Sequence, residues 1–146
     1  MKKIISILAA IMLIALPAAA RDKVYNDGSC LPKAATQTIQ KYFGKVGINH
    51  VKVDKKTFGG ADYDVVLNNG TEIEFNTDGQ LTEIDCGRSA IPDGLVLKPI
   101  RDYVSKNFKG KKIVGMEVNR SSYDIELIDG TELKFDRSGK FLRIDD

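Results

Sequence analysis

Two segments of this chain, spaced 60 residues apart, have similar sequences. Residues 63–85 read YDVVLNNGTEIEFNTDGQLTEID, and residues 123–145 read YDIELIDGTELKFDRSGKFLRID. The two segments align without a gap, and most positions that differ exchange similar side chains. Self-similarity at a fixed spacing indicates that one supersecondary unit is used twice. The sequence therefore predicts two copies of one unit, at 31–86 and 91–146, within one compact domain.

Each copy begins with a proline and a helical pattern. Pro32 and Pro92 lie at the same place in the two copies and suit the first turn of a helix, where an N–H is not needed. Pro99 lies deeper, so the second helix is expected to begin near it or to kink there. Apolar residues then recur at helical spacing: Ala35, Ile39, Tyr42, Phe43 and Val46 in the first copy, and Leu97, Ile100, Tyr103, Val104 and Phe108 in the second.

About four strands are predicted to follow each helix. Residues 63–67 alternate at a period of two, which is typical of an antiparallel strand with one apolar face. Asn69-Gly70 and Asp129-Gly130 favour tight hairpins, because these residue types tolerate positive φ. A unit of roughly 60 residues buries little apolar surface alone, so we expect the copies to share a core or a sheet. The predicted class is α+β: a tandem repeat of one helix plus about four antiparallel strands, forming one continuous antiparallel sheet with helices on one face.

The N-terminus has the features of a secretory signal peptide. Two lysines precede an uncharged apolar run from Ile4 to Leu16, and small residues follow up to Ala20. The run is shorter than the roughly 20 residues that span a bilayer. We therefore expect cleavage after Ala20, an N-terminal segment at 21–30, and a periplasmic or secreted chain that is not inserted in a membrane.

The charge of the predicted mature chain is balanced. Removing the two lysines of the signal lowers the 22 Lys and Arg residues to 20, which equals the 20 Asp and Glu residues. Nucleic-acid binding relies on concentrated positive charge. We therefore expect no nucleic-acid partner.

Two cysteines, Cys30 and Cys86, lie at the two ends of the first copy. In an oxidising compartment they favour a disulfide. Closing so long a loop stabilises a fold by about 4 kcal/mol in the chain-entropy model. Two buried thiols are the alternative, whereas a catalytic pair is disfavoured because the spacing is not Cys-x-x-Cys.

The sequence contains no recognisable catalytic apparatus. His50 is the only histidine, and a satisfied or solvent-facing position at a strand entrance is the ordinary interpretation of it. A Ser-His-Asp or Cys-His site would depend wholly on that residue. Glycine-rich phosphate loops and zinc-type spacings are not found. A calcium-loop pattern is met only loosely, by Glu74, Asn76, Asp78, Gly79 and Asp85. We predict no enzymatic activity, no cofactor and no metal.

The outward face of the predicted sheet is the candidate functional surface. If Tyr63 and Ile73 point inward, their neighbours along the strands point outward, and these are largely acidic. Such a face can steer a basic partner, while the ordinary interpretation is a solvated surface that discourages edge aggregation. Phe58, on a glycine-rich loop, is expected either to anchor a partner or to fold back onto the core. The predicted partner-binding residues are Asp64, Val66, Glu72, Glu74, Asp124, Glu126, Glu132, Lys134 and Phe58.

Both copies carry the motif Tyr-Asp-hydrophobic-x-Leu-x-[Asn/Asp]-Gly-Thr-Glu-hydrophobic-x-Phe. In this arrangement the chain resembles the PepSY-like family of exported bacterial proteins, over nearly all of residues 31–146. That family resembles in fold the β-lactamase inhibitor protein, a tandem of helix-plus-four-strand units whose concave sheet and hairpin loops grip an enzyme. The resemblance implies a non-enzymatic module that binds or inhibits another envelope or secreted protein through its open sheet face. The alternative is a small-ligand or cation-binding module with a sensory or scavenging role.

Overall fold

The computed structural model describes residues 22–145. The predicted signal peptide, 1–20, lies outside the described residues. The chain divides into two compact units, and the division falls between Gln80 and Leu81. We refer to residues 22–80 as the N-terminal unit and to residues 81–145 as the C-terminal unit.

Helices and antiparallel strands make up both units. The N-terminal unit contains β1 (Lys23–Tyr25), α1 (Lys33–Phe43), β2 (Ile48–Lys55), β3 (Ala61–Leu67) and β4 (Glu72–Phe75). The C-terminal unit contains β5 (Leu81–Asp85), a short 3-10 helix (Asp93–Leu95), α2 (Lys98–Asn107), β6 (Ile113–Val118), β7 (Ser122–Leu127), β8 (Glu132–Asp136) and β9 (Phe141–Asp145). The strand order follows the chain from β1 to β9, and the pairs within each unit are antiparallel. The predicted α+β class with antiparallel strands is confirmed in both units.

Helix α1 begins directly after Pro32, whose backbone is extended with a ψ of 149°. Ala35, Ile39 and Phe43 are buried and recur at every fourth position, so they form a single apolar stripe. Val46, which the helical pattern included, lies beyond the end of the helix. The helix ends at Phe43 because Gly44 follows, and glycine disfavours helix continuation.

Helix α2 begins at Lys98 and has Pro99 in its first turn, where the absent N–H leaves no hydrogen bond unmade. The prediction that this helix begins near Pro99 is confirmed. Pro92, which was expected to start the helix, instead precedes the 3-10 turn Asp93–Leu95. Gly94 within that turn disfavours a continuous helix between the two prolines.

Strand register defines the apolar face of the N-terminal unit. Val51 pairs with Val65, and Val65 pairs with Ile73, so the three side chains lie on the same face. Each is at most 1 % exposed. Helix α1 approaches the same unit closely, since a Cβ on Gly79 would lie 2.9 Å from the backbone nitrogen of Ala35. The buried stripe of α1 therefore covers this face, and each such aliphatic side chain stabilises the fold by about 1.5–3 kcal/mol.

An aromatic cluster holds α2 on the C-terminal unit. Tyr103 stacks on Phe141, with ring centroids 4.5 Å apart at 11°, and meets Phe135 edge-on at 5.4 Å and 83°. Phe135 is fully buried. In the same unit, Met116, Ile125 and Leu133 pair across three neighbouring strands. Such ring pairs contribute about 0.5–1.5 kcal/mol beyond their buried area. The face that carries these side chains is therefore the one that α2 covers.

The hairpins at Asn69-Gly70 and Asp129-Gly130 are confirmed, and their loops have the same geometry. Leu67 N donates to Thr71 O, and Gly70 N donates to Leu67 O. The C-terminal unit repeats both bonds around Gly130, and each of the two glycines has a φ of 85°. Each loop contains three residues between its paired ends, with the glycine in the position that requires positive φ.

Cys30 and Cys86 do not form a disulfide in the structure, so the predicted bridge is not formed there. Cys86 is buried and Cys30 is partly buried. Burial raises the pKa of the Cys30 thiol, and the Asp27 carboxylate raises it further. The buried thiol of Cys86 packs as a small apolar side chain.

Two glycine substitutions test how closely α2 holds the turn after β8. Gly130 and Gly139 both have a φ of 85°, but a Cβ on Gly139 would lie 2.9 Å from Pro99 Cβ, while one on Gly130 has nothing within 4 Å. Gly130→Ala is expected to lower the free energy of unfolding by about 1–2 kcal/mol, through backbone strain alone. Gly139→Ala should cost about 1–3 kcal/mol more, because the methyl group overpacks against α2. Urea denaturation followed by circular dichroism measures both, and equal losses would contradict the close packing.

Candidate functional site

The N-terminal unit carries charged side chains on the face opposite its buried one. Residues that pair directly across antiparallel strands share a face. The strand register places two rows of side chains on this surface. One row consists of Lys52, Asp64 and Glu74, and the other consists of His50, Val66 and Glu72. All six side chains are partly exposed. We call these six residues the N-terminal open face, and it contains all four partner-binding residues predicted on strands of the first copy.

The C-terminal unit presents a surface of the same kind. Two rows of side chains cross strands β5 to β9. The first row consists of Glu83, Glu117, Asp124, Lys134 and Arg143. The second row consists of Asp85, Gly115, Glu126, Glu132 and Asp145. We call these ten residues the C-terminal open face. Seven of them are carboxylates and two are cations. The four predicted residues of the second copy are all among them.

Sequence reasoning missed several members of the C-terminal open face. Glu83 and Asp85 flank the buried Ile84 on β5, and Glu117 follows the buried Met116 on β6. The same period of two that identified the other strands would have placed all three outward. Arg143 and Asp145 were missed for another reason, because Ile144 between them is 48 % exposed and marks no buried position.

Ion pairs occupy both cations of the C-terminal open face. Lys134 Nζ lies 2.9 Å from Asp124 Oδ1 and 3.9 Å from Asp145 Oδ2. Arg143 Nε also pairs with Asp145. The Asn119 amide donates to Asp124 Oδ2 at 2.8 Å, which fixes that carboxylate from the other side. Five further carboxylates lie on this surface, so its charge is negative overall.

Two carboxyl groups of the open faces have raised pKa values. Burial raises the pKa of Glu126, and the neighbouring carboxylates of Asp85 and Glu132 raise it further. Burial also raises the pKa of Asp64, although Lys52 partly opposes this effect. In both cases the surroundings disfavour the ionised form.

Phe58 lies on the loop between β2 and β3 and is 100 % exposed. Lys56 N donates to Gly60 O at 3.1 Å, and Gly59 N donates to Lys56 O at 3.3 Å, so the loop is hydrogen-bonded across its base. Both glycines have positive φ, at 92° and 84°. Of the two predicted positions for this ring, the structure has the exposed one, and strand register does not include Phe58 in either open face.

His50 and Asn76, a residue of the calcium-loop pattern, both make contacts with residues close in sequence. His50 Nδ1 lies 2.8 Å from Asn49 Oδ1, the side chain of its chain neighbour. Asn76 Oδ1 accepts hydrogen bonds from Asp78 N and Gln80 N, each at 3.0 Å, so this oxygen stabilises a turn. Within residues 22–145, no group of three His, Cys, Asp or Glu side chains is placed to hold a metal ion.

A cleft of about 400 Å³ lies beside α2 in the C-terminal unit. Its walls include the apolar side chains of Ile91, Val104 and Phe108. Arg101 and Lys111 also line the cleft, and they pair with Asp93 and Asp129 respectively. This volume is within the range of small-molecule sites, about 300–1,000 Å³.

Comparison with protein families finds one match. The family described as "Putative beta-lactamase-inhibitor-like, PepSY-like" matches residues 61–143. That range includes β3 to β8 and both open faces in large part. No match was found among curated proteins.

Three crystal structures of periplasmic proteins are similar to this chain. A Bacteroides vulgatus protein "of unknown function" is 37 % identical, with a TM-score of 0.81, and the match covers 86 % of this chain and 100 % of that one. A "putative calcium-regulated periplasmic protein" from Bacteroides thetaiotaomicron is 28 % identical, with a TM-score of 0.79 and coverage of 86 % and 97 %. A second Bacteroides vulgatus protein is 30 % identical, with a TM-score of 0.80 and coverage of 88 % and 100 %.

These relatives confirm the predicted location, which is periplasmic or secreted. In the part of the chain that the structure describes, neither helix is long and apolar enough to cross a membrane.

Removing the charge of Glu126 is expected to stabilise the protein at neutral pH. The folded-state pKa of Glu126 lies above its ordinary value of 4.5, so ionisation destabilises the folded state as pH rises through that value. Below it the carboxyl is protonated in both states, and the effect disappears. Glu126→Gln should therefore raise the free energy of unfolding at pH 7, measured by urea denaturation, by less than about 1 kcal/mol, because a partly exposed charge is screened. At about pH 3 the variant and the parent should be equally stable.

Asp129→Asn is the control, and we expect it to change the stability of the protein in the opposite direction. Hydrogen bonds from Lys111 and Thr131 lower the pKa of Asp129 to about 2, so this carboxylate stabilises the folded state above its ordinary pKa. Asparagine keeps an oxygen for the Thr131 N–H. The variant should be less stable than the parent at pH 7, and the difference should shrink as pH falls toward 2. A loss of stability in Glu126→Gln at pH 7 would contradict our account of the acidic face.

Proposed function

Because this chain belongs to the PepSY-like, β-lactamase-inhibitor-like family, we propose that it is a non-enzymatic module that binds or inhibits another envelope or secreted protein through its open sheet face. One observation carries the proposal: seven carboxylates and two cations lie together on the C-terminal open face. Helix α2 covers the opposite face of that unit, so this one remains accessible. Fold likeness alone does not identify a partner, but the charge of the surface indicates its chemistry.

The partner that fits this surface has a basic patch. Carboxylates of one sign spread over a sheet raise the association rate of a cationic surface and disfavour acidic ones. Val66 and the exposed ring of Phe58 supply apolar contact area in the N-terminal unit. Lys134 is held between Asp124 and Asp145, so part of the face is ordered before a partner arrives. Binding that does not need to order these side chains loses less entropy.

We propose that both copies of the repeat carry an open face. We take the two helix-plus-four-strand segments, 31–86 and 91–146, as copies of one unit, each with its own open face. By sequence β5 ends the first copy, while by packing it belongs to the C-terminal unit, where it pairs with β6. The carboxylates of β5 thus extend the acidic rows that the second copy forms.

A binding role also agrees with the chemistry of the chain. His50, the only histidine, contacts Asn49 and lies in a row with Val66 and Glu72 rather than beside a nucleophile. Nucleophilic catalysis by serine or cysteine needs a base within hydrogen-bond reach. Hydrolase turnover that disappeared in a His50→Ala variant would overturn the non-enzymatic part of the proposal.

Charge reversal on the open face is the direct test. Glu117→Lys combined with Glu126→Lys should weaken capture of a partner from a periplasmic extract by at least about tenfold, because each substitution replaces an attraction with a repulsion. Asp93→Lys combined with Asp102→Lys is the matched control. It makes the same charge change at exposed positions beside and on α2, and it should leave capture intact. Equal capture by the parent and both variants would refute the proposal, and the activity of the captured protein with and without this chain distinguishes binding from inhibition.

Phe58→Ala tests whether the exposed ring is an anchor. The ring is fully exposed, so its removal should leave the free energy of unfolding unchanged. If the ring enters a pocket on the partner, the binding free energy should weaken by about 1–2 kcal/mol, as for other aromatic anchors. Thr57→Ala, in the same loop, is the control. Unchanged binding by both variants, measured by calorimetry with the captured partner, would exclude the loop from the interface.

The alternative function is a small-ligand or cation-binding module. Two observations favour keeping it: the cleft beside α2, and the relative described as "calcium-regulated". Thermal unfolding with calcium and with a chelator separates the two functions. We expect the same melting temperature in both, because the Asn76 oxygen is already used in a turn. A calcium-dependent rise, without any protein partner, would favour the alternative.

A further inference from the structure

Strand β9 has one neighbour among the described strands. It is last in the strand order and pairs with β8 along one edge. Its other edge therefore presents main-chain N–H and C=O groups, the template on which a further strand can pair. Leu142 is 49 % exposed and Ile144 is 48 % exposed. This edge is thus partly apolar.

The side chains of β9 are complementary to a second copy of the same strand. Ile144 pairs with Leu133 and so lies on the side of the buried face. Arg143 and Asp145 pair with Lys134 and Glu132 and so lie on the C-terminal open face. Arg143 and Asp145 pair with each other within one chain. Because they lie two positions apart on the same face, an antiparallel copy can exchange this pair for two pairs between the strands.

We infer that β9 is an interface between two copies of this chain, paired antiparallel about a two-fold axis at Ile144. In this register the two Ile144 side chains lie opposite each other, and Arg143 of each copy lies opposite Asp145 of the other. Residues directly opposite share a face, so the apolar sides of both copies stay together. The same patch serves on both subunits, as a two-fold dimer requires.

The charges of β9, and the face on which each of its side chains lies, disfavour the neighbouring registers of the dimer. A two-fold axis at Arg143 would set two cations opposite each other, and one at Asp145 would set two carboxylates opposite each other. Like charges directly opposite are destabilising. A slip by one residue would place Ile144 opposite Arg143 and mix the polar and apolar faces. The register at Ile144 satisfies both conditions.

The strand at the other end of the order, β1, lacks this pattern. It has three residues, Lys23–Tyr25, with one charge, that of Lys23. A short edge strand with a lysine is an ordinary way to prevent edge pairing. The self-complementary charges are therefore a property of β9.

The dimer that β9 can form is small. The β8–β9 register shifts between Lys134 and Phe135, so the regular part of β9 begins at Arg143. Pairing over so few residues buries less than the roughly 1,200 Å² at the lower end of stable interfaces. We therefore expect a weak, reversible dimer with a dissociation constant in the high-micromolar range. Arg143 and Asp145 also belong to the C-terminal open face, but the inference does not depend on the proposed function, because the pairing uses the main-chain edge of β9 and is measured with this chain alone.

Sedimentation velocity of the exported, purified chain, from micromolar to millimolar concentration, tests the interface. Arg143→Asp leaves two carboxylates on this stretch of β9, and Asp145→Arg leaves two cations. Each variant alone should raise the dissociation constant at least about tenfold, because both cross-strand pairs become repulsive. Mixed in equal amounts, the two variants should associate with each other, because opposite charges meet again. The double variant Arg143→Asp/Asp145→Arg should self-associate as the parent does.

Lys98→Asp and Asp102→Lys are the matched controls, since they reverse the charges of an exposed ion pair on α2. Neither should change the dissociation constant, and circular dichroism checks that all variants are folded. A chain that sediments as a monomer at every concentration overturns the inference. So does a dimer that is insensitive to both β9 variants, or a mixture that shows no recovery.

Discussion

The antiparallel register of the strands is the constraint on which the rest of the structure depends. Because side chains alternate at a period of two, a strand that buries Val65 must expose Asp64 and Val66 on its other side. Cross-strand pairing then aligns each such position with the next strand, so single alternations become continuous faces. One face collects apolar side chains and is covered by a helix. The other collects carboxylates.

The acidic surface is thus a consequence of packing on the opposite side. Burial raises the pKa of Glu126, and the carboxylates of Glu132 and of Asp85, which lies much earlier in the chain, raise it further. Lys134 partly balances the surface by pairing with Asp124 and Asp145. In the unbound protein the neighbouring carboxylates repel one another, and a basic partner would reduce this repulsion. This is the physical basis for regarding the open face as a docking surface.

Much of the fold could be predicted from local patterns. The helical spacing of Ala35 and Ile39, the hairpin at Gly70 and the strand alternation all depend on residues close in sequence, and the structure confirms them. Predictions were wrong where local signals compete or where distant packing decides. Pro92 precedes a 3-10 turn because Gly94 interrupts the segment. Strand β1 was not predicted, because its three residues carry little pattern of their own and depend on pairing with β2.

The sequence by itself determined the apolar stripes of the helices, the two hairpin loops and the eight outward strand positions, because these follow from backbone periodicity and from turn residues that tolerate positive φ. Only the tertiary structure decided which residues join them. Glu83 and Glu117 lie in one row because β5 pairs with β6. Arg143 and Asp145 lie on an edge strand because β9 is last in the strand order. The pairing of β5 with β6 joins strands that are separated by α2, and no local pattern records a contact between residues so far apart in the chain.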